Sequence, residues 1–394
     1  MPPATTLFGL FLIMRWKYIY EIVLCCAIFL SCKHQNKTVD KPATCTESQQ
    51  VKYAKGFCLS KTDQYTLLSL LDPNTGQVNQ QIAMIKKGAI PPEGFLPDEI
   101  IEVPINSIVA TSTTHIPPLE LIDQQDALVG FPNLDYISSP LTRALIDQGK
   151  VAELGQNQAL NIEVLLTLKP ELLMTFSIDK TQKGLEKVKD SGIPVIYNGD
   201  WTEQHPLGKA EWIKVLGALF DKQTKSDSIF NQIEQDYLNL RALAQTATQT
   251  PTVISGALYK DIWYAPKGDS WAAQFLKDAN SQYLWQDTPG TGSLQWNIEE
   301  ILQYSDKAQV WIGPGQFTSY AQMAQNSPTY TKLRPFSDKQ VYTFSEAVGP
   351  TGGLLYYELA SMHPEWVLSD LIHILHPELM PQDYQPKFFT PLSP

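Results

Sequence analysis

The chain has 394 residues, 43% of them hydrophobic and 18% charged, with a formal net charge of −11. That length exceeds one ordinary core and suits two lobes, and the composition is that of a folded protein rather than a disordered one. No basic block is longer than Lys86-Lys87, which argues against nucleic acid as a partner, because phosphate binding needs a cationic surface.

Residues 1–32 read as a targeting segment. The apolar stretch Ile19 to Leu30, interrupted by Glu21, is short for a membrane span and follows the basic run Met14-Arg15-Trp16-Lys17. Met14 is the expected start of translation. The stretch ends Phe29-Leu30-Ser31-Cys32, which resembles a lipobox, so Cys32 is the expected lipid attachment point and the mature chain is expected to be membrane-anchored. Cys25 and Cys26 leave with the signal. Cys45 and Cys58 remain, either as one disulfide closing a short loop or as two thiols. Polar residues 33–49 read as a flexible tether.

Residues 50–105 carry VKYAKGFCL, YTLLSLLDP and QQIAMIKKG as expected strands, with a turn at Asp72-Pro73-Asn74-Thr75-Gly76, and predict antiparallel structure attached to a first lobe. The grammar then changes. SIVATS, ALVGF, ELLMTF and IPVIYNG read as strands, alternating with helical LELIDQQ, NIEVLLTLKP and DKTQKGLEKVKDSG. Strands alternating with helices predict a parallel sheet covered on its faces. Residues 208–245 are helical by apolar spacing. After residue 250 strands TVISGAL, AQVWIG and QVYTFS alternate with helical WAAQFLKDA and NIEEILQYS. The fold class is therefore α/β with two Rossmann-like lobes: an N-terminal lobe over 50–207, a rigid linker helix at 208–222, and a C-terminal lobe over 223–394. A helical joint predicts only modest lobe closure.

An internal repeat supports this. NIEVLLTLKPELLMTF at 161–176 aligns without a gap to NIEEILQYSDKAQVWI at 297–312. Asn161 and Asn297 suit helix N-caps, and Asn297 with Glu300 forms a capping-box pattern. Glu163 and Glu299 then sit in the first turns. Helix-dipole stabilisation accounts for them, and so does a pair of exposed carboxylates that dock on a basic partner.

The order of lipobox, TTH loop, LVGF, ELG…LNIEVLLTLKPELLM, linker helix, WYAPKGDSWAAQFLKDAN, WNIEEIL and DLIHILHPEL resembles the class III periplasmic binding proteins over roughly residues 50–380. The resemblance implies a monomeric binder, with a rigid helix between two α/β lobes and ligand in the cleft. It implies delivery of an iron-siderophore, haem or cobalamin complex to an ABC permease and its ATPase. It also assigns permease docking to Glu163 and Glu299. The tryptophans that cobalamin-binding members carry before the two glutamates are missing from ELGQNQAL and PGTGSLQW, apart from Trp296 in a different place. This favours an iron complex, with cobalamin as the alternative.

Ligands bind beyond the carboxyl ends of the strands in open parallel sheets. The expected cleft residues are Thr114, His115, Phe131, Tyr136 and Trp201 from the first lobe and Trp263, Tyr264, Trp271 and Glu346 from the second. Thr113, Phe176, Ser177, Tyr259 and Gln316 are neighbours of the same kind. Such an aromatic and polar wall suits a large, mostly apolar ligand. A zinc or manganese receptor would need about four converging ligands, imaginable from His115, His205, Glu346 and an Asp, but no His-rich loop exists. No G-x-S-x-G, H-E-x-x-H or P-loop pattern is present, so neither enzymatic activity nor a cofactor is expected. Gly313-Pro314-Gly315 and Gly349-Pro350-Thr351-Gly352-Gly353 are expected to be ligand-facing loops.

Overall fold

A computed structural model describes residues 51–394 apart from 158, 177–183 and 305. The expected signal segment, the tether, Cys32 and Cys45 fall outside the described residues, as does Ser177. The first sheet contains β1 (Phe57–Lys61), β2 (Tyr65–Leu71), β3 (Val78–Lys86) and β4 (Ile100–Val103), side by side in that order. The first two pairings are antiparallel as expected, whereas β3 and β4 run parallel. The strand expected from Val51 begins only at Phe57. Ahead of it, the N–H groups of Lys52, Tyr53 and Ala54 donate to the buried Glu211 carboxylate at 2.8–3.0 Å. Those of Lys55 and Gly56 donate to Glu203 at 2.8 and 2.9 Å. Two carboxylates thus consume the donors that a ladder would have used. Cys58, inside β1, is buried and disulfide-bonded. The turn at Asp72 forms as expected: its carboxylate accepts from the Asn74 and Thr75 N–H groups, which hold its pKa down.

The first lobe's sheet holds β5 (Ile108–Ala110), β6 (Leu128–Phe131) and β7 (Ala152–Glu153). A small hairpin of β8 (Gly155–Gln156) and β9 (Ala159–Leu160) follows, then β10 (Leu172–Thr175) and β11 (Val195–Tyr197). The order β11-β10-β5-β6-β7 is parallel throughout. β5 and β10 are buried along their whole length, as expected for strands covered on both faces.

The second lobe is built from β12 (Thr252–Ser255), β13 (Ala257–Tyr259), β14 (Ile262–Pro266), β15 (Gln282–Tyr283), β16 (Ser293–Asn297), β17 (Val310–Ile312), β18 (Val341–Thr343) and β19 (Thr390–Pro391). The main sheet runs β15-β12-β17-β18-β19, parallel except for the last pair. β13, β14 and β16 form an antiparallel sheet of their own. In both lobes the first strand of the sheet (β5, β12) pairs with the strand that follows the Asn-Ile-Glu helix (β10, β17). The sequence repeat is therefore a repeat of topology.

The joint differs from the expected helix at 208–222. Pro206–Glu211 and Ile213–Leu219 form two short helices whose apolar side chains are buried. The element that passes between the lobes is the next one, Gln223–Ala244. Near its start Lys225 pairs with Asp123 of the first lobe. Near its end the Tyr237 hydroxyl donates to Asp278 at 2.7 Å, and Arg241 pairs with Asp278 at 3.2 Å.

A second tie crosses from the C-terminal lobe. The carboxylate of Glu358, fully buried in the helix Leu355–Leu359, accepts from the Ser138 and Ser139 N–H groups at 2.6 and 2.9 Å. A Cβ on Gly353 would come 2.5 Å from the Tyr136 carbonyl oxygen, and one on Gly349 2.4 Å from the Ser138 Cβ. The glycine loop 349–353 is thus first of all a close interlobe joint, and glycine is required for the approach.

Candidate functional site

The carboxyl ends of the two parallel sheets converge on one cleft. On the first lobe Thr111 follows β5, Phe131 ends β6 and Phe176 follows β10. All three line a cavity of ≈ 620 Å³ whose opposite wall is Gln316, Ser345 and Tyr357 of the second lobe. Gln316 and Tyr357 also line a neighbouring cavity of ≈ 660 Å³ in the second lobe, floored by the ends of β12, β17 and β18. That cavity shares Tyr264 and Trp271 with a third, of ≈ 450 Å³, which reaches Trp201 of the first lobe. The three cavities adjoin through shared walls, at the place where open parallel sheets bind ligands.

Of the expected cleft residues, Phe131, Tyr136, Trp201, Tyr264 and Trp271 line these cavities. Tyr136 is 57% exposed and Trp201 50%. The Trp201 indole is aimed by a 2.9 Å hydrogen bond from its Nε1 to the Phe176 carbonyl. Four others sit elsewhere. Trp263 is fully buried, packed on Trp311 and Tyr330 with its Nε1 donating to the Ser255 carbonyl. IWYAP is strand β14, and alternation turns Trp263 and Ala265 inward while Tyr264 and Pro266 face the cleft. The Thr114 hydroxyl is held by Ser112 at 3.0 Å, leaving Ser112 and Thr113 on the wall. His115 is 1% exposed beneath that loop; neither ring nitrogen has a partner, and burial lowers its pKa to about 4. Glu346 turns to the C-terminal strand, accepting from Ser393 Oγ at 2.6 Å and Thr390 Oγ1 at 3.3 Å.

Sequence reasoning missed an aromatic group that closes the second-lobe cavity. Phe344 stacks on Tyr356 with centroids 4.5 Å apart, and Phe389 packs edge-on against both. Tyr357 stands at the junction of the two larger cavities. The available signal was LLYYEL immediately after the glycine loop. Burial pushes the phenols of Tyr356 and Tyr357 above their ordinary pKa, so both remain protonated hydrogen-bond donors. Among the described residues no three of His, Cys, Asp and Glu converge as a metal would require.

The two repeated glutamates lie outside the cleft. Asn161 caps the helix Ile162–Leu168 by accepting from Val164 N–H at 3.1 Å. Asn297 forms the full capping box with Glu300, at 2.9 and 3.0 Å. Glu163 and Glu299 are exposed in the first turns.

Two parallel-sheet lobes of equivalent topology, spanned by a long helix and enclosing an aromatic cleft, define a two-lobed ligand-binding protein. The family described as "Periplasmic binding protein" matches residues 108–348, and the chain belongs to that family. An uncharacterized lipoprotein of Methanocaldococcus jannaschii is 23% identical over 290 residues, 71% of this chain and 67% of the relative. A periplasmic haem-binding protein of Pseudomonas aeruginosa has a similar structure, with a TM-score of 0.56 at 15% identity over 74% of this chain and 99% of its own. A periplasmic vitamin B12-binding protein of Vibrio cholerae gives 0.51 at 16% over 69% and 97%. The class III two-lobed fold expected from the resemblance is therefore the one observed. Periplasmic binding proteins bind their ligands without turning them over, so the chain is a ligand-binding protein and not an enzyme.

Proposed function

We propose that this is a lipid-anchored, exported substrate-binding protein that delivers a bulky iron complex of the siderophore type to an ABC permease and its ATPase. The observation that carries the reading is the aromatic cleft at the carboxyl ends of both sheets, with adjoining cavities of ≈ 620 and ≈ 660 Å³. That space suits a large complex better than a bare ion. Cobalamin is the second reading, supported by a vitamin B12-binding protein of Photorhabdus laumondii, 21% identical over 36% of this chain and 49% of that protein. Anchoring through Cys32 draws support from the lipoprotein name of the Methanocaldococcus relative. A Cys45–Cys58 disulfide fits the bonded state of Cys58.

In this reading Glu163 and Glu299 dock on basic permease residues. Both are exposed, and each opens the helix that leads into an equivalent strand of its lobe. Native mass spectrometry and visible absorbance of the protein purified from its own cells test the cargo. A ferric complex or a corrin is expected from its mass and its visible bands, and a bare metal ion or an unrelated small solute would refute the proposal.

A further inference from the structure

The described residues that line the two larger cavities are all uncharged. The second-lobe cavity is walled by rings, among them Tyr264, Trp271, Phe275, Phe344 and Tyr357, and the interlobe cavity by Thr113, Phe131, Gln316 and Ser345. The nearest charges are already engaged. Glu203, the one charged residue among the described residues on the third cavity, accepts from the N–H groups of Lys55 and Gly56 and from Trp212 Nε1 at 2.8–2.9 Å. Lys209 sits with its Nζ 4.0 Å from the centre of the Trp271 ring, and burial lowers its pKa against the opposing pull of Asp200 and Glu203. Burying an ionised group without a counter-charge carries a heavy desolvation penalty. Rings and hydroxyl or amide groups, in contrast, suit an apolar surface studded with carbonyls and N–H groups.

We infer that the cleft selects a metal complex that is electroneutral over its buried surface. Neutral ferric trihydroxamates and amide-bearing corrinoids share this chemistry. Complexes that present carboxylates or anionic catecholates do not. The inference rests on the cargo reading above and narrows it.

Titration calorimetry on the full chain tests it with four probes: a neutral ferric trihydroxamate, cyanocobalamin, a trianionic ferric tris-catecholate and haemin. At least one of the two neutral probes is expected to bind ten-fold or more tightly than both anionic ones. Its Kd is expected to change less than two-fold when salt is raised from low to high, because no ion pair is screened. Which neutral probe binds separates the siderophore from the corrinoid source. Tighter binding of the tris-catecholate or haemin, or a steep salt dependence of the neutral probe, overturns the inference while leaving the delivery function in place. Failure of all four overturns both.

Discussion

Replacing Glu358 with alanine tests the interlobe tie most directly. Its carboxylate is fully buried and receives two backbone N–H groups from the opposite lobe, at 2.6 and 2.9 Å. Alanine removes both charge-assisted bonds and leaves two buried donors without partners. At about 1.5–3 kcal/mol for each bond to a charged group, the loss is about 3–6 kcal/mol. For a chain of this size about 2 °C of Tm per kcal/mol applies, so calorimetry should show a drop on the order of 6–12 °C. Glu358→Gln keeps one acceptor and should lose roughly half of that. The pH dependence supplies a second readout. Burial, the largest cause, raises the Glu358 pKa against the pull of the two N–H groups. A carboxyl whose folded pKa exceeds its unfolded one binds more protons when folded. Its contribution therefore favours the native state at low pH and is lost as pH rises through the raised pKa. The stability advantage of wild type over Glu358→Gln should accordingly fall as pH rises above the ordinary carboxyl range. An alanine variant within 1 °C of wild type, with the same scattering profile, would refute the tie.

Trp263→Ala is expected to cost about 3–5 kcal/mol of stability as a buried ring lost from a packed cluster, while Trp271→Ala should weaken cargo binding with a smaller change in Tm; calorimetry and a binding titration on both variants check the contrast. Glu163→Ala combined with Glu299→Ala should leave cargo affinity unchanged and cripple uptake in cells, because exposed ion pairs set orientation more than energy; normal uptake would remove their docking role. The His115 ring should stay neutral by NMR from pH 8 down to about 5, given a folded pKa of about 4. Because that pKa lies below the unfolded one, the native state loses stability as pH falls below about 6.5 and the loss levels off near 4; an imidazole titrating near 6.5 would contradict the buried placement. Solution scattering should show only a small compaction on cargo addition, since the long helix and the Glu358 tie both resist hinge motion.

Features that depend on neighbours along the chain were legible in the sequence. The two Asn caps, the turn at Asp72 and the α/β alternation of both lobes follow from contacts a few residues apart, and the structure forms each of them. The repeated Asn-Ile-Glu correctly announced a repeated topology. The inward turn of Trp263 was legible as well, because a strand over Ile262–Pro266 buries alternate residues.

The rest depended on segments far apart in sequence. Nothing local says that Glu211 takes the N–H groups of residues 52–54, or that Glu358 reaches Ser138 across 220 residues. Nor does anything local turn Glu346 toward the last strand and away from the cleft. Sequence by itself determined the class of fold, the two lobes and the helix starts that carry Glu163 and Glu299, because capping and periodicity are set by nearest neighbours. Only the tertiary structure decided which aromatics form the cleft wall and which are core, because burial is assigned by the segment that packs on top. The same packing left the described walls of the two larger cavities uncharged.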